Sequence, residues 1–143
     1  VDLTAAGFGA TLTGVLPELR AQAESLMTDS CTVRRATGET AQNEDTGTVG
    51  PVYTDQFSSK CKVQARALAA LTAEAGGRTA TTVRLELHLP LSAGAAEVGD
   101  VAEITAVGAL SDVQLLGRKF TITAPVAKSF ATARRYEVTE VVS

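Results

Sequence analysis

Apolar positions along the chain change their spacing once, near residue 30, and that change separates a helical start from an extended remainder. Leu16, Leu19, Ala23, Leu26 and Met27 recur at intervals of three and four, which lines them along one stripe of a helix. Arg20, Gln22, Glu24 and Ser25 fall on its other faces. Pro17 suits a first helical turn and Glu18 suits the positive end of the helix dipole. The pattern predicts a helix over residues 13–29, closed by Thr28-Asp29-Ser30. Before it, residues 1–12 are small and glycine-bearing without a period, and read as a flexible arm.

Beyond residue 30 the period becomes two. Cys31-Thr32-Val33-Arg34-Arg35 and Lys60-Cys61-Lys62-Val63-Gln64-Ala65-Arg66 alternate as half-buried strands do, with both cysteines on the core-facing parity. Val52 to Phe57 is a further extended run, and the polar stretch 36–50 before it reads as a long hairpin loop. Residues 67–80 are ambiguous. Ala67 to Ala75 has helix propensity, Gly76-Gly77 interrupts it, and either a short helix or a mobile loop fits. Val83, Leu85, Leu87 and Leu89 then alternate with Arg84, Glu86 and His88. Further strands are expected at 101–107, 120–123 and 135–141, after turns at Val98-Gly99-Asp100 and Leu116-Gly117-Arg118-Lys119. Short strands parted by turn signals, without crossover helices, point to an antiparallel barrel or sandwich. The expected fold is mainly β: an N-terminal α-helix followed by a small antiparallel β-barrel over 30–143, with long loops at 36–50 and 67–80.

At 143 residues the chain is one domain's length, and its 45% hydrophobic content suffices for a core. Aromatics make up only 4% and there is no Trp, so Val, Leu, Ile and Ala must fill the interior. Such a core buries less area per residue, and self-association would offset the deficit. The net charge of −3, with no basic run longer than Arg34-Arg35 or Arg134-Arg135, argues against sequence-specific DNA binding. No apolar stretch approaches the roughly 20 residues that cross a bilayer. The N-terminus lacks a basic start followed by an apolar run, so a chain made in the cytoplasm is expected.

Candidate chemistry is sparse. The single histidine, His88, lies on the polar parity of its strand and reads as an exposed surface residue, so a Ser-His-Asp or Cys-His arrangement has little to build on. Cys31 and Cys61 lie thirty positions apart, without the close pairing of a zinc site, and read as buried reduced thiols. Glu137 with Glu140, Glu97 with Asp100, and Glu86 and Glu103 read as solvated carboxylates. Gly76-Gly77-Arg78 is too short for a phosphate loop. No enzyme, cofactor or metal is expected.

Several segments taken in order carry a resemblance. These are Leu16-Pro17-Glu18-Leu19-Arg20, Ala23-Glu24-Ser25-Leu26-Met27, Cys31-Thr32-Val33-Arg34-Arg35 and Asp45-Thr46-Gly47-Thr48-Val49. Lys60-Cys61-Lys62-Val63-Gln64, Val98-Gly99-Asp100-Val101, Leu116-Gly117-Arg118-Lys119-Phe120 and Ala131-Thr132-Ala133-Arg134-Arg135-Tyr136-Glu137-Val138 follow. From about residue 13 to the end the chain resembles the head-to-tail connector proteins of long-tailed phages of actinobacteria, especially the head-closure or stopper type. The resemblance implies a small β-barrel in a ring, twelvefold in the expected case, beneath the portal and adaptor. It implies assembly in the host cytoplasm and a place in the virion neck, with itself, the portal or adaptor, and a tail terminator or tail tube protein as partners. It implies non-specific contact with genomic DNA and none with a membrane. A channel-gating loop would fall at 67–80 (Leu71, Glu74, Gly76, Gly77, Arg78) or at 36–50, with Arg78 placed to meet DNA or to pair with Glu74. Leu16, Leu19 and Leu26 form the candidate interface helix. A tail terminator in the same neck, and a monomeric β-barrel binding module, are the alternatives.

Overall fold

A computed structural model describes residues 5–67, 73–75, 78–80, 83–127 and 129–141, with side chains over 13–65, 84–127 and 129–141. Helix α1 (Ala5–Ser25) is followed by β1 (Asp29–Gln42), β2 (Val49–Ala67), β3 (Ala73–Ala75), β4 (Arg78–Ala80) and β5 (Val83–Leu89). Strands β6 (Val101–Ala106), β7 (Lys119–Val126) and β8 (Arg134–Glu140) complete the chain, with a single 3-10 turn at Val113–Leu115. Six strands form one antiparallel sheet in the order β1-β2-β5-β8-β7-β6, and β6 pairs back onto β1 with Cys31 opposite Ile104. The sheet closes on itself, which removes its edges where the pairing is complete.

Alternation decides which residues enter. Cys31 and Val33, Cys61, Leu87 and Leu89, Ala102 and Ile104, Phe120 and Ile122, and Tyr136 and Val138 form the buried cluster. The thiols behave as small apolar groups: both are free and buried, and the register places Cys61 opposite Asp29, diagonal to Cys31. Their mutual hydrogen bond and then burial push the Cys61 thiol up, so it stays protonated at neutral pH. The segment between β5 and β6 folds across one end of the sheet, packing Ala93 and Ala96 on the cluster, and the Ala96 amide donates to the Tyr136 hydroxyl at 3.3 Å.

Three boundaries differ from the sequence reading. The helix begins at Ala5 and ends at Ser25, short of the expected residue 29, which already belongs to β1; residues 5–12 of the expected arm are helical, and Pro17 lies inside the helix rather than in its first turn. Alanines at 5, 6 and 10 favour helix enough to carry Gly7 and Gly9, and proline's fixed φ suits helix at the loss of one backbone bond. The expected loop 36–50 is largely strand. β1 and β2 pair out to Gln42 opposite Val49, leaving a turn of residues 43–48. In 67–80, Ala67 ends β2, and β3 and β4 pair as a two-stranded ribbon with Glu74 opposite Thr79 and Ala75 opposite Arg78. At 73–75 and 78–80 the chain is strand, not the short helix that is one of the two readings open from the sequence, because cross-strand pairing overrides alanine's local preference; residues 68–72 and 76–77 lie outside the described residues.

Candidate functional site

Strands β2, β5 and β8 lie side by side, and their outward residues form two rows across the sheet. Lys62, His88 and Arg135 align in one row, and Gln64, Glu86 and Glu137 in the next. The C-terminal part of α1 covers this face. Arg20 Nε donates to the Ala131 carbonyl at 3.1 Å, and Lys60 Nζ pairs with Glu24 Oε2 at 3.2 Å. Leu16 and Met27 are buried. Beneath the helix end remains a cavity of about 240 Å³, whose walls include Leu26, Met27, Lys62, Glu86, His88 and Arg135.

His88 and Glu86 are therefore buried, at 8% and 7% exposure, and not the solvated surface residues that their parity suggests. Covering by α1 is the reason: an outward side chain is exposed only if nothing packs over its face. His88 Nε2 and Glu86 Oε2 are 3.1 Å apart. Burial lowers the His88 pKa; the Glu86 hydrogen bond opposes this, while Arg135 and Lys62 on either side add to it. The imidazole is thus neutral at pH 7. Arg135 Nε is buried and has no hydrogen-bond partner among the described residues. A carboxylate can orient a histidine for proton transfer. Here, though, the walls include two cationic side chains, Lys62 and Arg135, which is chemistry for holding an anion. Among the described residues no group of three or more His, Cys, Asp or Glu is placed to hold a metal ion.

A second ionic cluster surrounds Arg34 and Arg35, midway along β1. Asp100, fully buried, accepts from Arg35 Nε and a second guanidinium nitrogen at 3.0 Å each, and from the Glu97 amide at 2.9 Å. Arg34 is paired with both Asp55 and Glu103, so Glu103 is half-buried in an ion pair rather than free on the surface. Glu137 pairs with Arg84 and Glu140 with Arg118. Each of these contacts ties neighbouring strands or loops together.

Of the expected site residues, Leu71, Gly76 and Gly77 lie outside the described residues. Glu74 and Arg78 are placed in β3 and β4 by backbone alone, where they are not cross-strand partners. The apolar stripe of the helix is split. Leu16 faces inward, whereas Leu19 and Leu26 are exposed, together with Val15. Where the sequence pattern predicts a loop at 36–50, the structure has the outer part of the β1–β2 arm, in which every side chain from Ala36 to Val49 is exposed. Its tip is ordered. Asn43 donates to the Thr48 carbonyl at 2.8 Å, the Gly47 amide to Asn43 at 2.7 Å, and the Asp45 amide to the Asn43 side chain at 3.0 Å. Gly47 (φ 70) closes the turn, and Gly38 (φ 87) sits where the pairing skips between Ala36 and Thr40. Strand-favouring Thr40, Val52, Tyr53 and Thr54 are the one signal that could have shown the arm.

No described helix is long and apolar enough to cross a membrane. Over residues 19–139 the chain matches a protein family described as a family of unknown function (DUF6093). No curated protein and no solved structure matches it.

Proposed function

The chain belongs to that family, and from its own geometry we propose that it is a structural subunit of a phage neck. In this reading a small β-barrel assembles into a ring below the portal or adaptor, closes the DNA channel and docks the tail, as a head-to-tail stopper does. One observation carries the reading: the β1–β2 arm is paired and turned yet buries no side chain between Ala36 and Val49. Ordering backbone costs about 1–2 kcal/mol per residue, and an isolated two-stranded hairpin is marginal in water. An arm of this length is stabilised when a neighbouring molecule covers it.

Other surfaces agree. Val15 and Leu19 are exposed on α1 and Leu26 just after it, Val49 and Tyr53 on the arm, and Leu110, Val113 and Leu116 on the loop before β7. A ring subunit needs two different complementary faces, and apolar groups on separate elements supply them. A monomeric binding module would present an aromatic platform. Here Phe120 and Tyr136 are interior, and exposed Tyr53 and Phe130 lie on separate elements. The channel-facing segment proposed is still 67–80, which carries the β3–β4 ribbon.

Cryo-electron microscopy of the particles that contain this chain tests the proposal. A ring between adaptor and tail is expected. Density in the top ring of the tail would make the chain a terminator, and absence from the particle would overturn the structural reading.

A further inference from the structure

Two features of the molecule are each incomplete and complement one another. One is the cavity beneath α1. Lys62 has no ion pair among the described residues, Arg135 Nε is buried without an acceptor, and His88 between them is engaged by Glu86. At about 240 Å³ it is smaller than the roughly 300–1,000 Å³ typical of small-molecule sites, but it admits one or two side chains. Lys62 and Arg135 outnumber Glu86, so the group that completes it is an anion with oxygen acceptors, for which a guanidinium is the preferred partner.

The other feature is the tip of the arm. No lysine or arginine occurs between Arg35 and Lys60, whereas Glu39, Glu44 and Asp45 lie at or near the turn. None of the three is in an ion pair among the described residues, and all are exposed. The tip is an acidic probe on a stiff ribbon.

We infer that the acidic tip of the arm docks into the Lys62–Arg135 cavity of a second copy of this chain. A tip cannot reach its own cavity, because Val49 and Lys62 lie on one continuous strand, about 40 Å apart at strand rise. Beyond the core residue Val33 the arm extends about 30 Å, the width of a small domain, which is the span needed to cross a neighbour. Tip and cavity are different surfaces, so the contact is heterologous and repeats from copy to copy, as a closed ring requires. The inference rests on the ring reading above and names the contact that would build the ring.

Sedimentation velocity of the full-length chain, across protein concentration and salt, tests it independently of where the protein sits in a particle. The wild type is expected to self-associate, and to do so less as salt rises from about 0.05 to about 0.5 M, since screening weakens a carboxylate–cation contact. Glu44→Lys with Asp45→Lys, or Lys62→Glu alone, is expected to weaken association at least tenfold with an unchanged circular dichroism spectrum. An equimolar mixture of the tip variant with the Lys62→Glu variant should recover part of it, because reversed tip then meets reversed cavity. A wild type that stays monomeric at the highest soluble concentration overturns the inference, as does a tip variant that associates like wild type. Either result leaves the neck assignment standing, which particle imaging alone decides.

Discussion

Two buried ionisable side chains, Asp100 and His88, respond to acid in different windows. Burial works to raise the Asp100 carboxyl, but the Arg35 guanidinium and the Glu97 amide together hold it below its ordinary 3.8. A depressed carboxylate stabilises the fold above the unfolded value, and that contribution is lost as pH falls through the lower folded value. His88 is depressed below its ordinary 6.5, chiefly by burial. The unfolded chain therefore takes up this proton first, and stability declines as pH falls from 6.5 toward the folded value. Urea titrations across pH should show an early loss that His88→Gln removes and a later one, below about pH 4, that Asp100→Asn removes. At neutral pH, Asp100→Asn should cost about 2 kcal/mol, because a charge-assisted buried contact is lost. An unchanged slope below pH 6.5 in His88→Gln would show that His88 is not buried beneath α1.

The arm buries no side chain between Ala36 and Val49, so little of the isolated chain's stability rests on it. Replacing residues 38–50 with a short Asn-Gly turn should leave the unfolding midpoint within about 0.5 kcal/mol of wild type, since no side chain between Ala36 and Val49 is buried. Denaturant melts of that variant would contradict this if it failed to fold. The same variant should lose self-association. Strand β5 was legible in the sequence because Leu85, Leu87 and Leu89 line the apolar core while Glu86 and His88 face the polar cavity beneath α1, which writes period two into the chain. The arm meets no core on either side, so polar residues occupy both faces and the period vanishes; its pairing arises from the neighbouring strand. Helix α1 was legible from Leu16 to Ser25, where it packs on the sheet, and not from Ala5 to Leu12, where the sequence carries no stripe.

On the scale of the whole molecule, closure of the sheet makes its interior one cooperative unit. Cys31 and Cys61 report on it directly, being fully buried and free. A thiol reagent should label both at the rate of global unfolding, and labelling at exposed-thiol rates under native conditions would mean that β1 and β2 open locally. The outside is less finished than the inside. Leu110 is fully exposed, with Val113 and Leu116 nearby in sequence, Leu19 on α1 and Leu26 just after it. Exposed apolar groups on separate elements are what an assembly of the kind proposed would cover, and such cover would offset a sparse aliphatic core.

Alternation and turn residues by themselves determined that this protein is mainly β after one helix, that Cys31, Val33, Leu87 and Phe120 face inward, and where the chain turns at Gly99 and Gly117. Those properties are local: each strand records the one face it buries. Tertiary structure alone decided that α1 lies over Glu86 and His88, that Arg135 joins them, and that residues 36–42 and 49–53 pair into an arm. These depend on contacts between segments far apart in sequence, such as Arg20 with Ala131. A two-residue period states that a side chain points outward and carries no information on what will cover it.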